Sequence, residues 1–479
     1  MPSRTTYWGI WVVLLVYVAL AVGYSLVTPP FEAPDEIHHY AFIRDLVRDR
    51  ALPVQREDDP PSQRHQPPLY YVLGALATFW NQEPEGSPYS VARSNPHWGY
   101  AYGEVGRDNK NLYLHGDWDA FPYRGTALGI HLVRLLSVLI GAVSVYAGYH
   151  MGLELFPGRP ALAVGGVAFM AFNPMFLFIS GAVNNDNLIV LWVTLIVVLL
   201  MRVVRHGITL RRSVGTGALC GLALLTKLTG LYALPLVAVG YLAAAWPRRD
   251  WGGFIRGGLV IAALTLLVSG WWFARNLILY GEPTSIQLTL QTWHARPDGL
   301  DWATALFELP IAETSFWGRF GYGNVPVPNF IYQALGIISR LGALGAVALA
   351  YRLALRGQER PSWGLRAFTL LLAVLAWAGV IYSYVTVTGF SMAQRMVLVV
   401  LSIALVVWLL IRRHLTGPMA DDRVTVWPSL RLLGVLAFTV LAYFGAMFTY
   451  MLMSTTAANG RYMFPALPAV SLLIFTGLG

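Results

Sequence analysis

The sequence predicts an all-α polytopic membrane protein of about twelve transmembrane helices, and three observations carry that expectation. Apolar runs near twenty residues recur from end to end, each long enough to cross roughly 30 Å of hydrocarbon. Charged residues make up only 12% of the chain, about half the fraction in soluble domains. The arginines gather in alternate connections between the runs, as the positive-inside rule expects.

The runs fall at about 7–27, 126–150, 160–181, 187–204, 213–228, 230–246, 255–275, 330–352, 367–387, 395–412, 431–453 and 462–479. The first lacks an A-x-A-type cleavage site and leads into Pro29-Pro30, so it reads as a retained anchor. The pair around Gly230 is joined so tightly that the two could form one broken element. With a cytoplasmic N-terminus, the inner connections hold Arg4, Arg159, Arg202, Arg205, Arg211, Arg212, Arg248, Arg249 and Arg256. They continue with Arg352, Arg356, Arg360, Arg366, Arg412, Arg413, Arg423 and Arg431. The short opposite connections hold little more than Lys227, Arg395 and Arg461.

This distribution also disposes of the net charge of +9 as a nucleic-acid signal. The cations are almost all arginines in short loops, a topology pattern rather than a polyanion-binding stripe. A single cysteine, Cys220, excludes an intrachain disulfide and a Cys-based metal site.

Two connections on the expected outer face are long, residues 28–125 and about 276–329. Loops of that length with no low-complexity character usually carry function. In the first, Pro29-Pro30 stops the membrane run and Pro34 suits the first turn of a new helix. Ile37, Ala41, Phe42 and Leu46 fall near one face of that helix and His38, Arg44, Asp45, Arg48 and Asp49 elsewhere, which predicts a helix lying on the membrane surface. "HQPPLYYVLGALATFW" (65–80) predicts a second surface or re-entrant helix.

The chemistry-bearing residues converge on the same face. "PPFEAPDEIHHY" (29–40) places Asp35 and Glu36 together with His38 and His39 at helical reach. Capping explains acids in a first turn, yet two adjacent carboxylates against lipid headgroups cost free energy without evident packing. "NNDN" places Asn184, Asn185, Asp186 and Asn187 between two runs, where an N-capped turn and a site are both open readings. "LLTKLTGLYALP" puts Lys227 near a membrane boundary, costly unless paired. "WWFARNLILYGEP" holds Arg275, which could equally snorkel, and "GRYMFPALP" holds Arg461. Arg134 and Arg340 fall inside predicted spans and require partners within the bundle. Cations on this face can hold a lipid-linked phosphate, and a carboxylate can take a proton from an attacking hydroxyl.

In these six segments and their order the sequence resembles the GT-C superfamily of polyprenyl-phosphate-dependent integral-membrane glycosyltransferases. It is similar to the protein O-mannosyltransferases and the lipid A aminoarabinose transferases. The resemblance implies two surface helices in the first outer loop and an active site between that loop and the bundle. It implies Asp35 as general base with Glu36 beside it, and Lys227, Arg275 and Arg461 at the donor phosphate. His39, Asn185 and Asp186, on the same face, are expected as further substrate-binding residues. Better-characterised members continue into a folded outer domain; this sequence closes at Gly479 within an apolar run, which leaves acceptor recognition open.

The function expected is transfer of a sugar, with inversion, from a polyprenyl-phosphate donor to a glycan, lipid or protein acceptor at the outer face of a bacterial cytoplasmic membrane. No nucleic acid partner is expected, and membrane lipids surround the chain. No cofactor is required by the reading, although carboxylate and imidazole suit Mn²⁺ or Mg²⁺, so a divalent cation at Asp35, Glu36 or His39 stays open. Two rivals remain. A lipid-linked glycan flippase would need a charged path, for which Arg134 and Arg340 are the candidates. An O-antigen polymerase or ligase also uses outer-loop arginines, but the acidic pair in the first loop argues for the transferase.

Overall fold

Long apolar helices leave the chain one stable arrangement in lipid, a bundle whose backbone bonds are satisfied within each segment. The computed structural model describes residues 4–56, 62–84, 86–99, 110–292, 295–296, 299–354, 363–386, 391–416, 429–455 and 457–478. Arg356, Arg360 and Arg423 of the expected inner connections lie outside the described residues.

The helices in chain order are α1 (Arg4–Val27), α2 (Glu36–Asp49), α3 (Leu69–Thr78), α4 (Pro88–Val91), α5 (Gly125–Leu155), α6 (Pro160–Ala171), α7 (Pro174–Ser180), α8 (Asp186–His206) and α9 (Leu210–Leu224). A 3₁₀ turn at Leu228–Tyr232 leads into α10 (Ala233–Arg248), then come α11 (Trp251–Tyr280), α12 (Ile286–Thr292) and α13 (Trp302–Gly318). A short hairpin, β1 (Arg319–Phe320) and β2 (Val325–Pro326), precedes α14 (Asn329–Ala354), α15 (Trp363–Thr386), α16 (Met392–Thr416) and α17 (Leu430–Met453). A second 3₁₀ turn at Gly460–Ala466 opens into α18 (Leu467–Leu478).

All twelve predicted runs coincide with helical structure, but the number that qualify as spans is lower. Among the described residues eight helices are long and apolar enough to cross a membrane, or nine if α6 and α7 form one broken span. The single predicted run 160–181 bends by 67° between those two helices. Its cause is local: Asn173 caps α7 by accepting from the Phe176 N–H, and Pro174 cannot continue α6. Helix α9 is too short to qualify, which leaves the 3₁₀ turn and α10, Leu228–Arg248 with Gly230 inside it, as the span.

The membrane setting explains what the bundle leaves uncovered. On α11, Leu266, Leu267 and Ile278 are 67%, 76% and 83% exposed. In water such a stripe would drive association; against hydrocarbon it is the solvated face. Inside, α5 packs on α1, α6 and α8, and α8 on α9, α10 and α17. Their shared core includes Val193, Leu200, Met201, Leu236 and Leu436.

The two expected helices of the first long loop are present as α2 and α3, which pack on each other while α3 rests on α5. Helix α2 is more enclosed than a helix lying on a membrane surface. Ile37, Tyr40, Phe42 and Ile43 are buried, and so are the polar His39, Arg44 and Asp45. Its charges find protein partners: Arg44 pairs with Glu83, and Asp45 with Arg48 and Arg64. Those partners let a charged helix be covered on several sides without losing its solvation.

Candidate functional site

The two adjacent acids diverge at the backbone. Asp35 sits at the N-cap of α2 in the left-handed region, φ 63° and ψ 2°, a conformation Asp tolerates better than most residues. Its carboxylate makes no capping bond and turns instead to Arg461. Glu36, one residue on, points into the bundle. Its Oε1 accepts from Arg134 Nε at 2.8 Å and the Val183 N–H at 2.8 Å. Its Oε2 accepts from Arg134 Nη2 at 2.6 Å and the Phe31 N–H at 2.9 Å. Arg134 in turn donates to the carbonyls of Ser25, Thr28 and Pro29. Both side chains of this pair are fully buried, whereas the Asp35 side chain is 28% exposed. Geometry therefore corrects the sequence expectation of a catalytic carboxylate pair: Glu36 clamps the turn after α1 to α5 and α8, and Asp35 alone reaches open space.

That space is a cavity of about 950 Å³ enclosed by the start of α2, residues 63–67, the tip before α8, and α10, α11, α13 and α17. One part of its wall is a chain of alternating charges. Arg461 bonds Asp35 and lies 3.9 Å by its Nε from Asp186 Oδ2, while Asp186 Oδ1 bonds Lys227 Nζ at 2.5 Å. Both cations also lie near the face of the Tyr462 ring, at 5.7 and 5.5 Å. Arg461 is set in place by the 3₁₀ turn, where Gly460 passes so close to α13 that a Cβ would run into the Ala312 carbonyl and the Phe316 backbone. Asp186 is the first residue of α8, where the positive helix end favours a carboxylate.

The rest of the lining is of two kinds. Leu231, Pro235, Phe273, Met447 and Met453 give an apolar side along the 3₁₀ turn at Leu228–Tyr232, α10, α11 and α17. His38, His39, Gln63, His65, Gln66 and Asn185 give a polar side. Burial is the first cause acting on the histidines and lowers all three: His39 falls well below its ordinary value, His38 falls, and His65 is pushed down to about 4. They are neutral at pH 7. For Asp35, burial works upward but the Arg461 guanidinium beside it prevails, helped by the direct hydrogen bond, and its carboxyl is held below the usual carboxylate range.

The structure brings Asp35, His39, Asn185, Asp186, Lys227 and Arg461 to one place, Asp186 standing just behind the wall. Arg275, expected at the donor phosphate, faces elsewhere. Its Nη2 donates to the Pro53 carbonyl at 2.8 Å and its guanidinium lies 4.9 Å from the Trp272 ring. A cation engaged with a loop carbonyl and an indole face is a loop anchor, and Trp272 and Asn276 take its place at the cavity wall. Of the remaining tip residues, Asn187 is internal, donating to the carbonyls of Ile179, Ala182 and Asn184. Sequence reasoning missed Arg319 and Glu308, both on the wall. Arg319 stands in "GRFGYG", where a lone cation among glycines of a long loop was the available signal. Glu308 pairs with Arg296 at 2.7 Å, a partnership no spacing announces.

The left-open divalent cation finds no matching ligand set. Among the described residues no three of His, Cys, Asp and Glu converge as metal ligands. Asp35 is engaged by Arg461, and each Glu36 oxygen already accepts from Arg134 and from a backbone N–H.

Residues 127–272, from α5 into α11, match the family model described as dolichyl-phosphate-mannose-protein mannosyltransferase. Among curated proteins none matches the chain. Of solved structures, the chain is similar to ArnT from Cupriavidus metallidurans in the apo state, at 14% identity and a TM-score of 0.41, covering 98% of this chain and 77% of that one. The same protein bound to undecaprenyl phosphate gives 14% identity and 0.39 over 98% and 78%. The Saccharomyces cerevisiae protein O-mannosyltransferase Pmt1–Pmt2 complex bound to the sugar donor gives 14% identity and 0.36 over 61% of this chain and 35% of that one. The chain thus spans about a third of the length of that yeast chain.

Proposed function

We propose that this membrane protein is an inverting glycosyltransferase that moves a sugar from a polyprenyl-phosphate donor to an acceptor hydroxyl, with its site on the outer face of a bacterial cytoplasmic membrane and its N-terminus inside. The observation that carries the reading is the Asp35 carboxylate, exposed in a cavity whose walls also present Arg461, Lys227 and a long apolar side. Four cations (Lys227, Arg296, Arg319 and Arg461) stand on or behind that wall against three carboxylates (Asp35, Asp186 and Glu308). With the histidines neutral, one net positive charge remains, a match for the single negative charge of a phosphodiester. The apolar side suits a polyprenyl chain, and the dolichyl-phosphate-mannose of the matched family name is a donor of this class.

The chemistry is set by these positions. The acceptor oxygen forms a bond to the anomeric carbon as the bond from that carbon to the phosphate oxygen breaks. The electron pair leaves with the phosphate, whose growing charge Arg461 and Lys227 stabilise. Asp35 Oδ takes the acceptor's proton. A carboxylate tied to an arginine is a weak base, so the resting pair must loosen. The donor phosphate competes with Asp35 for the same guanidinium.

The flippase reading loses its candidates, since Arg134 is locked to Glu36 and Arg340 to Glu313 at 2.7 Å. The deciding test is sugar transfer by purified protein in nanodiscs. Asp35→Asn should reduce transfer about 10²–10⁴-fold, the span for losing a general base, with donor binding at least as tight as in wild type, because the carboxylate that competes for Arg461 is gone. Unchanged transfer would end the assignment.

A further inference from the structure

One set of polar groups on the cavity wall has a fixed hydrogen-bond polarity that the transfer chemistry above does not use. Asn185 is fully buried, and its Nδ2 donates to the Thr226 carbonyl at 3.3 Å, to Tyr71 Oη at 3.4 Å and to Gln66 Oε1 at 3.5 Å. The Thr226 carbonyl can only accept, so it fixes the orientation of the amide. The other amide atom, Asn185 Oδ1, is then a buried acceptor with no hydrogen-bond partner. An acceptor left this way costs free energy unless something fills it.

The same network settles the neighbouring imidazole. Tyr71 Oη accepts from Asn185, and the acceptor within reach of its own fully buried proton is His39 Nδ1, 2.8 Å away. The His39 ring stacks on Tyr71 with centroids 5.8 Å apart, which fixes its plane. A neutral ring accepting at Nδ1 carries its proton on Nε2, and burial keeps His39 neutral. His39 and Asn185 both line the cavity. This leaves an N–H donor on His39 and a C=O acceptor on Asn185 without a protein partner among the described residues, on two wall residues that both bond Tyr71.

We infer that His39 Nε2–H and Asn185 Oδ1 form a subsite that reads the hydroxyls of the bound sugar. A hydroxyl, or two neighbouring ones, both accepts and donates and so satisfies the pair. A carboxylate, phosphate or second carbonyl can only accept and would leave Asn185 Oδ1 facing another acceptor. An ammonium can only donate and would face the His39 N–H. The subsite is uncharged and sits one helical turn from Asp35, beside the place where the reacting sugar carbon must lie, while Arg461 and Lys227 serve the phosphate. It therefore selects for the sugar rather than for the lipid. This inference rests on the glycosyltransferase reading.

The test compares binding of two probes to protein in nanodiscs: undecaprenyl phosphate, and the same lipid carrying glucose or arabinose. Wild type should bind at least one sugar-bearing lipid more tightly than the bare one. His39→Phe keeps the stacking on Tyr71 and removes the donor, and Asn185→Ala removes the acceptor. Each should lose about 2- to 10-fold of the sugar-dependent increment, one neutral hydrogen bond's worth, with bare undecaprenyl phosphate bound as by wild type. His39→Gln, whose amide can donate from a position near Nε2, should recover most of the loss. Binding of the bare lipid also reports that each variant is folded, and His39→Phe carries the test alone if Asn185→Ala does not fold. Absence of any sugar increment in wild type, or an increment unchanged in His39→Phe, overturns the subsite while leaving the donor class standing. Failure of wild type to bind either lipid overturns the donor class itself.

Discussion

Asp35 and Glu36 are neighbours of the same chemical type, and the structure assigns them opposite phenotypes. Glu36→Gln keeps the shape but removes the charge opposite Arg134, a residue with no exposed surface. Either orientation of the new amide also points an NH₂ at two existing donors, the Val183 N–H and Arg134 Nε on one side or the Phe31 N–H and Arg134 Nη2 on the other. Removing one partner of a buried ion pair costs about 3–5 kcal/mol, which corresponds to roughly 10²- to 10⁴-fold in the equilibrium for local opening. The assay is hydrogen exchange at the start of α2 and at the tip before α8, where the Phe31 and Val183 amides report directly. Their protection should fall by that factor in Glu36→Gln and change little in Asp35→Asn, whose carboxylate lies at the cavity wall. Pairing Glu36→Gln with Arg134→Met should recover part of the protection by removing the uncompensated cation. Wild-type protection in Glu36→Gln combined with lost sugar transfer would refute the reasoning and return Glu36 to the chemistry.

Donor binding should separate the cations expected at the phosphate. Lys227→Ala and Arg461→Ala should each weaken capture of a polyprenyl-phosphate sugar by about 1.5–3 kcal/mol, whereas Arg275→Ala should leave it nearly unchanged, and an equal loss in all three would contradict the cavity geometry. Orientation is checked by labelling introduced cysteines in a Cys220→Ser background: Phe121→Cys, at a site 82% exposed, should react from outside, and His206→Cys only from inside. Reversed accessibility would invert the proposed sidedness. His115 stands between Glu32 Oε1 at 3.1 Å and Asp119 Oδ2 at 2.6 Å, and although burial works against its charge the two carboxylates raise its pKa. A raised folded value means the stabilisation is fully present below the unfolded value of about 6.5 and fades as pH climbs through the folded one. Hydrogen exchange should accordingly show residues 110–119 more protected at pH 6 than at pH 9, and a His115→Asn variant that keeps the same pH dependence would exclude this group as the cause.

Everything legible in the sequence alone rests on short-range chemistry. Hydrocarbon admits only internally bonded segments, so composition and run length were enough to mark an all-α membrane bundle and to put helical structure at all twelve runs. The acidic start of α2, the tip at 184–187, Lys227 and Arg461 were legible because charged and amide groups at a membrane boundary are expensive without a purpose. Where the outcome hung on a long-range partner, the sequence was silent. Asp35 and Glu36 looked equivalent because nothing local distinguishes them. One left-handed residue sends the first toward Arg461, 426 positions away, and leaves the second to Arg134, 98 positions away. Arg275 and Arg461 both looked like phosphate ligands, and only packing showed one occupied by the Pro53 carbonyl. The polarity of the His39 and Asn185 pair depends on the Thr226 carbonyl, a backbone atom whose position no side-chain pattern encodes. A side chain's identity sets what it can bond, but the tertiary fold decides which of its atoms are already spent.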